Sequence, residues 1–197
     1  RRSFWTWAEG ILHEHLPGTR AASAEDFYRH VNRVNPENLI RVDADELSYP
    51  LHVLVRFEIE RGLFDGSIQV RDLPRVWNAK YAEYLGVEPS SDKVGVLQDV
   101  HWSDGSFGYF PSYTLGAMYA CQFWEKAVEE LGGEKLEAEV AAGEFGRLKG
   151  WLNEKIHCLG SLHPSADELC EAVTGSKLDP AVFVRYLEQK YRALAEG

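Results

Sequence analysis

The sequence predicts a mainly α-helical fold, and three observations carry that reading. Apolar residues recur at three- and four-residue spacing through most of the 197 positions. Helix punctuation brackets those stretches, with Ser, Asp or Pro at the openings and Gly or Pro-Gly at the ends. A single long segment, 87–109, breaks the rhythm and is the one place where a short β hairpin fits.

The elements follow in order. Phe4, Trp7, Ile11, Leu12 and Leu16 share a helical face that stops at Pro17-Gly18. Ser23 and Asp26 stand at capping-box spacing and open a helix to about Arg33. From Ala44 to Leu63 the apolar period runs through Leu47, Leu51, Leu54, Val55, Phe57 and Ile59. Pro50 inside it predicts either a kink or a start near Tyr49. Asp72 and Pro74 open the next helix (Val76, Trp77, Tyr81, Leu85), which Gly86 closes. Within 87–109, the apolar stretch from Val94 to Val100 reads as a strand or a buried loop, and connections this long are often functional. Pro111 opens a helix carrying Leu115, Met118, Tyr119, Phe123, Val128 and Leu131, ended by Gly132-Gly133. Helices at about 134–141 and 144–158 follow, then one opened by Ser165 with Glu168 and a last one from Asp179-Pro180. At about 150 residues per domain, 1–197 is expected to form a single helical domain.

Composition excludes several classes. With 45% hydrophobic and 12% aromatic residues the chain can build a packed core. A net charge of −10 argues against a nucleic-acid partner, whose binding rests on Lys and Arg neutralising phosphates. Cys121, Cys158 and Cys170 form no Cys-x-x-Cys, which excludes a disulfide scaffold and a thiolate zinc finger and points to reduced thiols in a cytoplasmic protein. No apolar run approaches the roughly 20 residues that span a bilayer, so no membrane partner is expected. The opening Arg1-Arg2-Ser3, without Met or a hydrophobic signal core, reads like the interior of a longer sequence.

Two clusters carry chemistry. The stretch from Gly95 to Tyr113 contains Gln98, Asp99, His101, Tyr109 and Tyr113 among glycines that allow close backbone approach. Its imidazole and phenols can donate or shuttle protons, and the same residues equally suit a capped loop whose histidine bonds a carbonyl. In the second cluster, Arg41 precedes Asp45 by four residues and would pair with it on one face if the segment is helical. That arrangement is either a helix-start ion pair or a guanidinium fork held for a carboxylate. His13-Glu14-His15 lacks the four-residue His spacing of a metalloprotease helix, and His157, Cys158 and His163 lack a fourth ligand. No metal site is expected in this chain, and no complete catalytic apparatus assembles from it.

At these clusters the text resembles a known family. Ile-Arg-x-x-Ala-Asp at 40–45 and Gly-x-x-Gln-Asp-x-His-Trp at 95–102 look like two signatures of the thermostable carboxypeptidase Taq family of metallopeptidases. The likeness extends through Asp72-Leu73-Pro74 to Gly86, Ser106 to Gly116, and Ala142 to Tyr191, with Asp104 and Ala117 as departures. It implies the C-terminal portion of a helical, zincin-like metallocarboxypeptidase that removes C-terminal residues from peptides. The His-Glu-x-x-His helix would lie in a missing N-terminal half, so a divalent metal (zinc or cobalt) would belong to the parent enzyme, and the isolated chain would be inactive. By the same resemblance, Arg41 and Gln98 would bind substrate, and His101, Tyr109 and Tyr113 would serve the tetrahedral intermediate. Asp45 and Asp99 would orient them. Association with the missing half or with a second copy as a homodimer is also implied. A noncatalytic scaffold or interaction protein descended from the family is the alternative.

Overall fold

The computed structural model describes residues 1–196, and among the described residues it contains nine α-helices and no strand. They are α1 (Arg2–His15), α2 (Ala24–Val31), α3 (Tyr49–Asp65), α4 (Leu73–Leu85), α5 (Pro111–Leu131), α6 (Gly133–Ala141), α7 (Gly146–Leu152), α8 (Ala166–Thr174) and α9 (Pro180–Glu196). Proline and glycine set most of the boundaries. Pro50 and Pro74 sit in the first turns of α3 and α4, where the missing N–H costs nothing. Gly66 and Gly86 close the same helices in the left-handed conformation, at φ +80° and +71°. The Ser23–Asp26 box forms as expected, with Ser23 N–H donating to Asp26 (2.8 Å) and Asp26 N–H to Ser23 Oγ (3.2 Å).

Backbone contacts divide the chain into two compact units, 32–116 and Arg1–Val31 with Ala117 onward. In the latter, α1 packs on α2 and α6. A separate cluster there buries Ala127, Trp151 and Val173 under Phe123, Leu131 and Leu148. The helix expected over 144–158 is α7 followed by a π turn at Asn153–His157.

The 32–116 unit is built on α3 against α4. Its core is Val55, Ile59, Trp77 and Tyr81, each at most 1% exposed, and burying each stabilises by about 1.5–3 kcal/mol. The buried face of α3 differs from the apolar face read in the sequence. Phe57 is 38% exposed, while His52, Arg56 and Glu60, at i, i+4 and i+8, are buried. Helix packing has turned a polar stripe inward, and each of its charges finds a partner in the segment 98–108.

That segment is where the hairpin expectation fails. Residues 87–110 form consecutive turns, closed by bonds such as Gln98 N–H to Gly95 C=O (3.1 Å) and Ser106 N–H to His101 C=O (2.7 Å). Gly105 and Gly108 adopt φ of +73° and +78°, which turn the chain at positions a strand would need extended. Side chains from α3 replace the ladder: Glu60 accepts from Trp102 Nε1 (2.9 Å) and from the Gly108 N–H.

Candidate functional site

Residues 40–45 do not meet the condition for an i,i+4 pair, because they form no α-helix. Arg41–Asp43 is a single 3₁₀ turn between extended residues Ile40 and Ala44. Asp45 consequently does not pair with Arg41. Its carboxylate accepts from the N–H groups of Asn35 (3.1 Å), Leu47 (3.0 Å) and Ser48 (2.9 Å) and from Ser48 Oγ (2.9 Å), which fixes the turn into α3.

The partner of Arg41 comes from 58 residues away. Its Nε and Nη2 donate to Asp99 Oδ1 at 3.0 and 2.7 Å, and Nη1 donates to Tyr49 Oη at 3.0 Å. Asp99 Oδ2 accepts from Arg56 Nε at 2.6 Å. Burial alone would raise the Asp99 carboxyl, but the charge of Arg56 and the bonds from both arginines hold it below the usual range. Gln98 completes the frame. Its Oε1 accepts from the Arg41 backbone N–H (2.9 Å) and from Arg56 Nη2 (2.8 Å), while its amide donates to the carbonyls of Leu39 and Val94. Both acceptor positions and both donors of Gln98 are thus spent inside the protein.

This cluster is unbalanced in charge. Among the described residues, Asp99 is the only carboxylate within ion-pair distance of Arg41 or Arg56, whose side chains are 6% and 0% exposed. Two desolvated guanidiniums therefore share one negative charge. Three of the five N–H groups of Arg41 are used by Asp99 and Tyr49.

Aromatic rings floor and wall the cluster. Phe110, 1% exposed, lies 5.7 Å from the Arg41 guanidinium and 5.6 Å from that of Arg56, and the His101 ring packs on it at 4.3 Å. His101 Nε2 is 3.0 Å from Tyr113 Oη, and its Nδ1 stands 3.9 Å from Asp99 Oδ1, beyond hydrogen-bond reach. Tyr113 lies under Arg41 at 4.9 Å and edge-on to Tyr109 at 5.3 Å. Tyr109 is 52% exposed. The structure therefore brings Arg41, Gln98, Asp99, His101, Tyr109 and Tyr113 to one site, with Asp45 acting on the turn beside it. Arg56, Tyr49 and Glu60 belong to the same site and were not singled out in the sequence. The sequence signal for Arg56 and Glu60 is their four-residue spacing with His52 on α3, a stripe that the structure buries.

His52 lies behind the cluster, fully buried, with Nδ1 3.2 Å from Tyr81 Oη. Burial, reinforced by the positive charge of Arg56, pushes its pKa from 6.5 down to about 4. The unfolded chain thus binds a proton that the folded chain refuses between those values. This contribution to stability is complete above pH 6.5 and lost as pH falls from 6.5 to 4, amounting to about 3 kcal/mol. Urea unfolding at pH 7 and pH 4.5 measures it. The loss is expected to shrink in His52→Phe, and an equal loss in that variant would remove His52 as its source.

No metal site assembles from the residues described. Among them, no group of three or more His, Cys, Asp or Glu side chains is placed to hold an ion. His13 Nε2 meets the Ala22 carbonyl oxygen at 2.8 Å, and His157 Nδ1 meets Asn153 Oδ1 at 3.0 Å. Among the described residues, no helix is long and apolar enough to cross a membrane.

Comparisons of the whole chain with known proteins agree on one family. Residues 1–191 match the family described as carboxypeptidase Taq (M32) metallopeptidase. Carboxypeptidase 1 of Bacillus subtilis is 44% identical over 194 residues, covering 98% of this chain and 38% of the relative. Thermostable carboxypeptidase 1 of Thermus thermophilus is 51% identical over 173 residues, covering 87% and 33%. Among solved structures, metallocarboxypeptidase 1 of Trypanosoma cruzi superposes with a TM-score of 0.92 at 45% identity, covering 98% of this chain and 38% of that one. The M32 carboxypeptidase of Deinococcus radiodurans R1 gives a TM-score of 0.93 at 40% identity, covering 100% and 39%. The chain thus spans little more than a third of these relatives, and it belongs to the carboxypeptidase Taq (M32) metallopeptidase family.

Proposed function

We propose that this chain supplies the substrate-gripping wall of a metal-dependent carboxypeptidase, which releases C-terminal amino acids from peptides. The observation that carries the reading is the charge count: two buried guanidiniums and one carboxylate, an arrangement that a second carboxylate would neutralise. A peptide's free C-terminus supplies that group, and Arg41 is assigned to receive it. Gln98 enters the reading as a positioning group rather than a substrate contact, because its hydrogen-bonding capacity is spent on Arg41, Arg56 and the backbone.

Tyr113 is assigned to the oxygen of the scissile carbonyl as it gains negative charge, and His101 acts on that oxygen by orienting the phenol. With His101 Nε2–H donating to Tyr113 Oη, the phenol proton remains available to that oxygen. Tyr109 is the exposed member of this wall and an alternative donor. The divalent metal implied by the family (zinc or cobalt) finds no donor set among the described residues. In this reading the metal's ligands belong to residues outside 1–197, and the chain by itself does not hydrolyse peptides. Exposed Val42, Leu97, Val100 and Phe64, each 65–71% accessible, support association with that remainder or with a second copy. A cytoplasmic location completes the reading.

The test joins this chain to a metal-bearing remainder and follows release of C-terminal residues. His101→Ala is expected to lower kcat by up to about hundredfold, because the Tyr113 phenol that donates to the oxyanion loses the N–H that orients it, with KM changed by less than about threefold. A near-normal kcat removes His101 from the mechanism. An absence of hydrolysis in the joined, metal-loaded protein overturns the enzyme reading in favour of a noncatalytic scaffold.

A further inference from the structure

Arg56 is a buried ion that the reaction assigned above does not use. Its side chain is 0% exposed and contributes no surface for a substrate to touch. Every one of its polar contacts lies within the fold: Nε to Asp99 Oδ2 (2.6 Å), Nη2 to Gln98 Oε1 (2.8 Å), and Nη1 to the His52 carbonyl oxygen (2.6 Å) and Tyr81 Oη (3.2 Å). Burying an arginine is costly unless its partners are well placed, and a core helix position could hold an apolar residue at lower cost. Two of its partners also hold Arg41. Asp99 fixes the Arg41 guanidinium through Oδ1, and Gln98 fixes the Arg41 backbone N–H through the same Oε1 that Arg56 engages.

We infer that Arg56 is a positioning residue for substrate recognition, which acts on the peptide's terminal carboxylate only through Arg41. The inference rests on the assignment of Arg41 made above. Arg56 anchors Asp99 and Gln98 to α3, so both the side chain and the main chain of Arg41 are referred to one rigid helix. Its charge also keeps the cluster one positive unit in excess after Asp99 is counted, which favours an anion at Arg41. A lysine in its place keeps the charge but cannot serve Asp99 and Gln98 at once with a planar fork.

The test compares Arg56→Lys, Arg41→Lys and the double variant in the joined, metal-loaded enzyme, with a peptide bearing a free C-terminal carboxylate. KM is the informative readout, because partial unfolding lowers kcat through the amount of active enzyme and leaves KM unchanged. Arg56→Lys is expected to raise KM about tenfold, with kcat per folded enzyme within about threefold. The double variant is expected to show the KM of Arg41→Lys alone, since a residue acting through another adds nothing once that other is gone. An unchanged KM in Arg56→Lys beside a raised KM in Arg41→Lys overturns this inference and leaves the Arg41 assignment standing. Unchanged KM in both overturns the two together. Independent effects that multiply in the double variant also overturn it. Should Arg56→Lys fail to fold, Tyr81→Phe removes only one of its partners. A KM rise of about twofold that vanishes in the Arg41→Lys background then supports the inference, and no rise overturns it.

Discussion

Asp99→Asn is expected to destabilise the chain by about 3–5 kcal/mol, a large part of the 5–15 kcal/mol that holds an ordinary domain together. The carboxylate is the sole negative charge between Arg41 and Arg56, and it takes three N–H bonds on its two oxygens. An amide keeps the shape but offers one acceptor oxygen, so its NH₂ group must face either the Arg41 fork or Arg56 Nε. Two guanidiniums then remain desolvated with no opposing charge, which is the costly case for a broken buried pair. Urea unfolding of residues 1–197 at neutral pH measures the loss. A loss below about 1 kcal/mol would mean that water already reaches both arginines and that the buried cluster is not as described.

The second large effect is on binding. Arg41→Lys is expected to raise KM for peptides about hundredfold in the joined, metal-loaded enzyme while leaving kcat within about threefold. Lysine is a point charge without a fork, so it cannot hold Asp99 and Tyr49 while presenting N–H groups to a ligand. A terminal carboxylate is bound alike in the ground and transition states, which is why the loss falls on KM. Stability should suffer less than in Asp99→Asn, because the opposing charge survives.

Much of the fold is legible from local signals, because proline and glycine act on the backbone where they stand. Pro50 sets the start of α3 and Gly86 the end of α4 without reference to distant residues. The chemistry-bearing residues Arg41, Asp99, His101 and Tyr113 are likewise visible as motif text. Their partnerships are not. Arg41 meets Asp99 across 58 positions, and the nearer candidate, Asp45, is taken up by the backbone of the turn it stabilises. Arg56 and Glu60 escape notice because charged residues on a helix read as its solvent face. Only the inward rotation of α3, with the 98–108 segment laid across it, makes them core. The same segment needs no hairpin partner at these points, since Glu60 accepts the Gly108 N–H and the Gln98 amide donates to the Val94 carbonyl, backbone groups that a strand pair would otherwise have satisfied.

The most direct measurement of the central claim, that Arg41 grips a peptide's free terminal carboxylate, changes ligand and protein together. The joined enzyme and its Arg41→Lys variant are each given one peptide with a free C-terminus and the same peptide C-terminally amidated. The wild-type enzyme is expected to favour the free carboxylate about hundredfold in kcat/KM, and the variant by only a few-fold, because the group that reads the charge has gone. An undiminished hundredfold preference in Arg41→Lys, or no preference in the wild-type enzyme, would contradict it.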